Sequence, residues 1–282
     1  MLGTCCWQWG RNAEAKRYLE QAVRHARACG DTRGAAMALG NLALVEKALG
    51  NHANAKAMML DWLATQREQG EWLRAAVGLN NLAYTCLALG EVDAAHGFLD
   101  EGLALCERHA LALPRPSLLA NLANLHAAAG RLDDAEQVAR QAITAARTDS
   151  FADVEAAALN QLVRIALRRG DLARARAHLP AAAAAAAAIR HEEVQLDCVF
   201  CVARLLAAEG DGRAAAPLLR FYLGRPNLEP ADRAEALSCL DGVPAGERGA
   251  APVALPLDAL PRGIVADLAS TTVAEHRGTP AE

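Results

Sequence analysis

Glycine recurs at Gly10, Gly50, Gly90, Gly130, Gly170 and Gly210 of a 282-residue chain, every fortieth position along most of its length. A backbone break at fixed intervals confines the chain to short elements between breaks, and a period of this size is the signature of stacked repeats. Other positions keep the same register. Alanine stands five residues after each glycine, at Ala15, Ala55, Ala95, Ala135, Ala175 and Ala215. Ahead of the glycines, Leu39, Leu79, Leu119, Leu159 and Val199 keep step with Leu42, Leu82, Leu122, Leu162 and Val202. Six coincident recurrences do not arise by chance.

Composition decides between helix and strand. Apolar residues make up 53% of the chain but aromatics only 4%, so the apolar content is mainly Ala and Leu, which favour helix over strand. Each unit therefore reads as two helices. The first helices, 33–49, 72–89, 116–129, 152–169 and 192–209, carry apolar residues at three- and four-residue intervals and stop at the glycine, which suits a left-handed C-cap. The second helices, 11–28, 51–68, 91–109, 131–147 and 171–188, begin just beyond it. Asp171 and Asp211 follow their glycines directly, where a carboxylate accepts from free helix N–H groups. The recurrent small Ala lets paired helices approach closely. Because one helix pair cannot bury its apolar face alone, the units are expected to stack into an all-α, right-handed superhelical solenoid of antiparallel helix pairs, its concave surface lined by first helices.

Two places depart from this pattern. Pro180, followed by eight alanines, falls inside a second helix and is expected to kink or split it. After Leu223 the repeat decays, with 231–240 as a lone capping helix. The expected organisation is a repeat domain over 1–240, with a partial first repeat, about five further units and the cap. A Pro/Gly/Ala-rich linker and mostly disordered tail follow over 241–282, with one or two turns near Ile264, Val265 and Leu268.

The segments Leu39–Ala43, Leu79–Ala83 and Leu119–Ala123, with the turn glycines and second-helix alanines, resemble the tetratricopeptide repeat family in its longer, kinesin-light-chain-like form. The resemblance covers roughly residues 5–225. Units set by this glycine spacing are longer than usual for the family and mostly lack its aromatic pair. The resemblance implies a groove for a protein or peptide, lined by Asn41, Asn80, Asn81, Tyr84, Asn121, Asn124, Asn160, Gln161, Arg164, Arg168 and Arg204. Amides there suit the backbone of an extended peptide, and arginines suit carboxylates, favouring acidic segments. The competing reading has Asn41, Asn81 and Asn121 bonding to neighbouring helices to hold the register, and the arginines as solvated surface charge.

Other functions find little support in the residues. Net charge is −4, and beyond residue 240 six acids stand against three arginines, which accounts for −3 of it. The body therefore offers no basic footprint for nucleic acid or an anionic membrane. No stretch approaches the apolar length of a membrane span, and the N-terminus lacks the pattern of a signal peptide. The eight cysteines are scattered through helical pattern and read as reduced thiols of a cytoplasmic protein. Cys198-Val-Phe-Cys201 lies mid-helix without a second such motif and reads as packing rather than a zinc or redox site. The histidines form no metal-binding spacing. With no nucleophile elbow, phosphate loop or acid–base pair, neither enzyme activity nor a cofactor or metal is expected. The expected function is a protein-interaction scaffold. The alternative is the regulatory or sensor arm of a larger bacterial signalling protein or transcription regulator, since the chain opens in mid-unit at Trp7 and Trp9. Self-association through the ends of the stack is a third reading.

Overall fold

Left-handed backbone punctuates the chain at a regular interval. Gly30, Gly50, Gly70, Gly90, Gly130, Gly170 and Gly210 have φ between +68° and +87°, a conformation that side chains with a Cβ rarely adopt. Ala110 and Ser150, at φ +51° and +62°, take the two intervening places, so the turn recurs at every twentieth position from Gly30 to Gly170. At each glycine the amide donates to the carbonyl three residues back and the next amide to the carbonyl five residues before it, as in Gly50 to Lys47 (3.0 Å) and Asn51 to Glu46 (2.9 Å). That is the Schellman arrangement, which satisfies two of the free carbonyls at a helix end.

The computed structural model describes Gly3, Cys6, residues 11–225, residue 228 and residues 230–248. Among them are twelve helices and no strand: α1 Asn12–Ala28, α2 Thr32–Ala48, α3 His52–Glu68, α4 Trp72–Ala88, α5 Val92–Arg108, α6 Arg115–Ala128, α7 Leu132–Asp149, α8 Ala152–Arg168, α9 Leu172–Ala188, α10 Glu192–Ala208, α11 Gly212–Leu223 and α12 Pro230–Gly242. Even-numbered helices are the first helices of their units. Asp31, Asp171 and Asp211 cap α2, α9 and α11 by accepting from Gly34, Arg174 and Ala214 amides at 2.8, 2.9 and 3.0 Å.

The chain divides into two compact units, Met1–Leu125 and His126–Glu282. In the first, α1 packs on α2, α2 on α3, α3 on α4 and α4 on α5; in the second, each helix from α7 to α12 packs on the next, and α10 also touches α8 and α12. Sequential packing of helix pairs is what a one-dimensional stack requires. The periodic alanines Ala15, Ala55, Ala95, Ala135, Ala175 and Ala215 are all fully buried. A second buried register, Leu19, Met59, Leu99, Ala139, Leu179 and Leu219, lies four residues further on, one helical turn along the same face.

Close approach has specific causes in the first unit. Trp62 of α3 lies between mid-helix glycines of α2 and α4. A Cβ on Gly40 would come within 2.8 Å of the indole Nε1, and one on Gly78 would overlap the six-membered ring. Gly102 of α5 likewise makes room for Leu118 of α6, whose Cδ2 would stand 2.7 Å from an added Cβ.

Pro180 does not split its helix: α9 is continuous from Leu172 to Ala188. Its ring is on the exposed face, where water can satisfy the carbonyl freed four residues earlier. The capping segment extends as α12 to Gly242, and Val243 beyond it is buried against Gly212, whose added Cβ would meet Val243 Cγ1 at 2.6 Å. Arg248 Nε donates to the Val243 carbonyl at 2.7 Å. Trp7, Trp9, Gly10, Cys5 and the remaining tail at 249–282, including Ile264, Val265 and Leu268, lie outside the described residues.

Candidate functional site

In the first unit, Val77, Asn80, Asn81 and Tyr84 fall at i, i+3, i+4 and i+7 of α4 and so share one helix face. Asn121 Nδ2 of α6 donates to Asn80 Oδ1 at 2.8 Å, and Lys47 Nζ of α2 lies 4.8 Å from the Tyr84 ring centroid. These two contacts join three first helices along that face. The Asn81 carbonyl accepts from the Thr85 hydroxyl at 2.8 Å. Asn41 is half-buried and Asn124 exposed. Tyr84 is 42% exposed, with Val77 at 44% and Met37 of α2 at 52%. Met37 and Val77 stand one repeat apart, at the same phase; that coincidence was the available signal for both. The face therefore combines exposed apolar side chains with amide groups.

The predicted residues of the second unit divide differently. Asn160 and Gln161 are buried, and Asn160 Nδ2 donates to the Val194 carbonyl at 2.9 Å, tying α8 to the start of α10. Asn160 thus acts between helices rather than on a surface. Arg164 of α8 meets Asp197 of α10 at 2.8 Å, and Asp232 and Glu235 of α12 at 3.3 and 3.9 Å. Arg204 of α10 lies 2.8 Å from Glu235 and over the Phe200 ring at 5.6 Å. Arg168 Nη1 donates to the Ala127 carbonyl at 2.7 Å. Arg164 and Arg204 are thus half-buried and ion-paired rather than solvated surface charge, whereas Arg168 is exposed and held by a backbone carbonyl. The Asp197 carboxylate raises the proton affinity of Arg164, while burial pushes Asp197 up. Burial and the neighbouring Arg164 lower Arg168. Asp232 and Glu235 escaped sequence reasoning because three helices separate α12 from the α8 that carries their partner Arg164.

Elsewhere the titratable groups are structural. Glu136 of α7 binds Arg140 at 2.9 Å and also Arg169 and Arg174, and these cations, Arg140 foremost, lower its carboxyl to about 2. Cys198 and Cys201 are fully buried; burial pushes the first up to about 12 and raises the second well above its ordinary range. Thiols so disfavoured as thiolates are poor nucleophiles and ligands. Among the described residues no group of three or more His, Cys, Asp or Glu could hold a metal, and no helix is long and apolar enough to cross a membrane.

Helix pairs stacked in one recurring register define a helical-repeat protein. The comparisons make the class specific. The profile of the tetratricopeptide repeat matches residues 76–110 and 117–148, and a second profile of that repeat matches residues 1–29. No curated protein sequence matches the chain. In structure the chain is similar to BtubC (BKLC) from P. vanneervenii, with 16% identity, 87% of this chain and 98% of that one covered, and a TM-score of 0.60. It is also similar to a putative kinesin light chain of Podosopora anserina with nearly identical TPR-like repeats, at 20% identity, 71% and 95% coverage and a TM-score of 0.52. Residues 1–29, 76–110 and 117–148 thus match tetratricopeptide repeats, and the fold is the helical-repeat type of those structural neighbours.

Proposed function

We propose that the chain binds a peptide or partner surface on the face formed by α2, α4 and α6 in the first unit. The observation that carries this reading is the shared exposure of Met37, Val77 and Tyr84 beside Asn80, Asn81, Asn121 and Asn124. Single exposed apolar side chains are ordinary on a protein surface, but aligned ones on neighbouring helices bordered by amides form a contact surface. The apolar side chains would supply desolvation energy, and the amides would pair with a ligand backbone. The Asn80–Asn121 hydrogen bond pre-orders two of those amides, reducing the side-chain entropy lost on binding.

The test is photo-crosslinking in lysate of the source cells from a photoreactive residue at Val77, with the same residue at exposed Asp100 of α5 as control. Peptides crosslinked from Val77 alone, and lost when Tyr84→Ala and Asn121→Ala are introduced, are the expected result. Identical crosslinks from both positions, or none from Val77, would refute the assignment.

A further inference from the structure

In the second unit the first helices α8, α10 and α12 are joined through charge. Arg164 and Arg204 stand one repeat apart, at a phase that carries Leu44, Tyr84 and Asn124 in earlier units. The phase becomes cationic only where α12 brings Asp232 and Glu235 against it. Arg164 and Arg204 meet three carboxylates, two of which belong to α12, and Arg168 stands one turn beyond Arg164 on α8, its Nη1 donating to the Ala127 carbonyl.

The fit of α12 to these arginines is imperfect. Asp197 holds Arg164 at 2.8 Å, whereas Asp232 and Glu235 reach it at 3.3 and 3.9 Å. Glu235 Oε1 is 2.8 Å from Arg204 Nη1, yet that buried nitrogen makes no aligned hydrogen bond. Paired guanidiniums prefer two parallel short bonds to one carboxylate, and α12 supplies no such pair here. Its apolar anchorage is also small. Among the described residues of 230–248 the buried hydrophobic side chains are Ala236 and Val243, and Leu237 is exposed, whereas α11 buries Ala215, Ala216, Leu218, Leu219 and Tyr222. Arg233 donates to the Leu223 and Arg225 carbonyls at 3.2 and 2.9 Å, which ties α12 to the preceding loop.

We propose that Arg164, Arg168 and Arg204 form a site for an acidic peptide segment, and that α12 fills this site in cis through Asp232 and Glu235. A partner with carboxylates one helical turn apart, the spacing of Asp232 and Glu235 themselves, binds by displacing α12. Loss of α12 leaves Asp197 as the remaining carboxylate against half-buried Arg164 and Arg204 and the more exposed Arg168, a balance that attracts anionic side chains. The second unit is thereby closed to weak acidic ligands and opened by those that hold the guanidiniums better than α12 does. This deepens the interaction-scaffold reading and rests on it, but uses residues of the other unit, so its failure leaves crosslinking from Val77 unaffected.

The test uses the full chain and a fluorescein-labelled peptide rich in Asp and Glu, with its Asn/Gln counterpart as control, followed by anisotropy. The double variant Asp232→Asn, Glu235→Gln is expected to bind the acidic peptide about tenfold more tightly than the wild type. Adding Arg164→Gln and Arg204→Gln should abolish that gain, as should replacing the peptide by its amide form. Equal affinity of wild type and double variant, or no binding by a double variant of wild-type helix content, would overturn the proposal. Should the double variant misfold, hydrogen exchange on the wild type decides. Millimolar acidic peptide is expected to speed exchange of the amides of 232–242, and unchanged or slower exchange there overturns the displacement.

Discussion

Replacing Ala110 by glycine should stabilise the first unit, although glycine within a helix usually destabilises it. Ala110 has φ +51°, outside the +68° to +87° of the turn glycines. Its amide reaches the Glu107 carbonyl at 3.5 Å, where the seven glycine amides make the same bond at 3.0–3.2 Å. A Cβ in left-handed backbone costs about 1–2 kcal/mol, and the extra freedom glycine brings to the unfolded chain returns about 0.4–1 kcal/mol of that. The net gain expected is about 0.5–1 kcal/mol, a rise in melting temperature of about 2 °C. Gly90→Ala is the matching control. It sits at φ +76° with no heavy atom within 4 Å of an added Cβ, so its only cost is the backbone, and it should lose a similar amount. Urea unfolding followed by far-ultraviolet circular dichroism reads both, and exchange of the Leu111 amide, bonded to the Cys106 carbonyl at 2.9 Å, reads the turn itself. If Ala110→Gly lowered stability, or if both substitutions were neutral, the argument from backbone conformation would be refuted.

Gly78→Ala should destabilise by about 1–3 kcal/mol through overlap with Trp62, despite the better helix propensity of alanine, and should be nearly neutral in a Trp62→Leu background; thermal melts of the four-member cycle measure this. Asn160→Ala removes the side-chain amide that ties α8 to the Val194 carbonyl and should cost about 1 kcal/mol, while Asn124→Ala, on the exposed part of α6, should stay within about 0.5 kcal/mol. Glu136 has its carboxyl held down at about 2, so its contribution is fully present above the ordinary carboxyl range and is lost as pH falls from about 5 toward 2. Glu136→Gln should flatten that part of the stability profile by about 2 kcal/mol, read as urea midpoints at several pH values; a profile as steep as that of the wild type would show the acid-labile groups to lie elsewhere.

Much of the fold was legible in the sequence because its determinants are local. Apolar spacing marks a helix face within a few turns, and glycine marks a left-handed stop within one, so first helices expected at 33–49, 72–89 and 152–169 appear as Thr32–Ala48, Trp72–Ala88 and Ala152–Arg168. The caps at Asp171 and Asp211 were readable for the same reason, since donor and acceptor are three residues apart. Tertiary structure decided what depends on distant neighbours. Ala110 and Ser150 turn left-handed without glycine because stacked helices on both sides impose the bend. Gly40 and Gly78 stand mid-helix against their intrinsic preference because an indole occupies the space between them. Asn80 and Asn160 share one repeat phase and Tyr84 and Arg164 another, yet Asn160 is buried where Asn80 is half-buried, and Tyr84 is exposed where Arg164 is bound to Asp232. Phase determines which way a side chain points along its own helix, whereas what covers it is set by the helix that packs next.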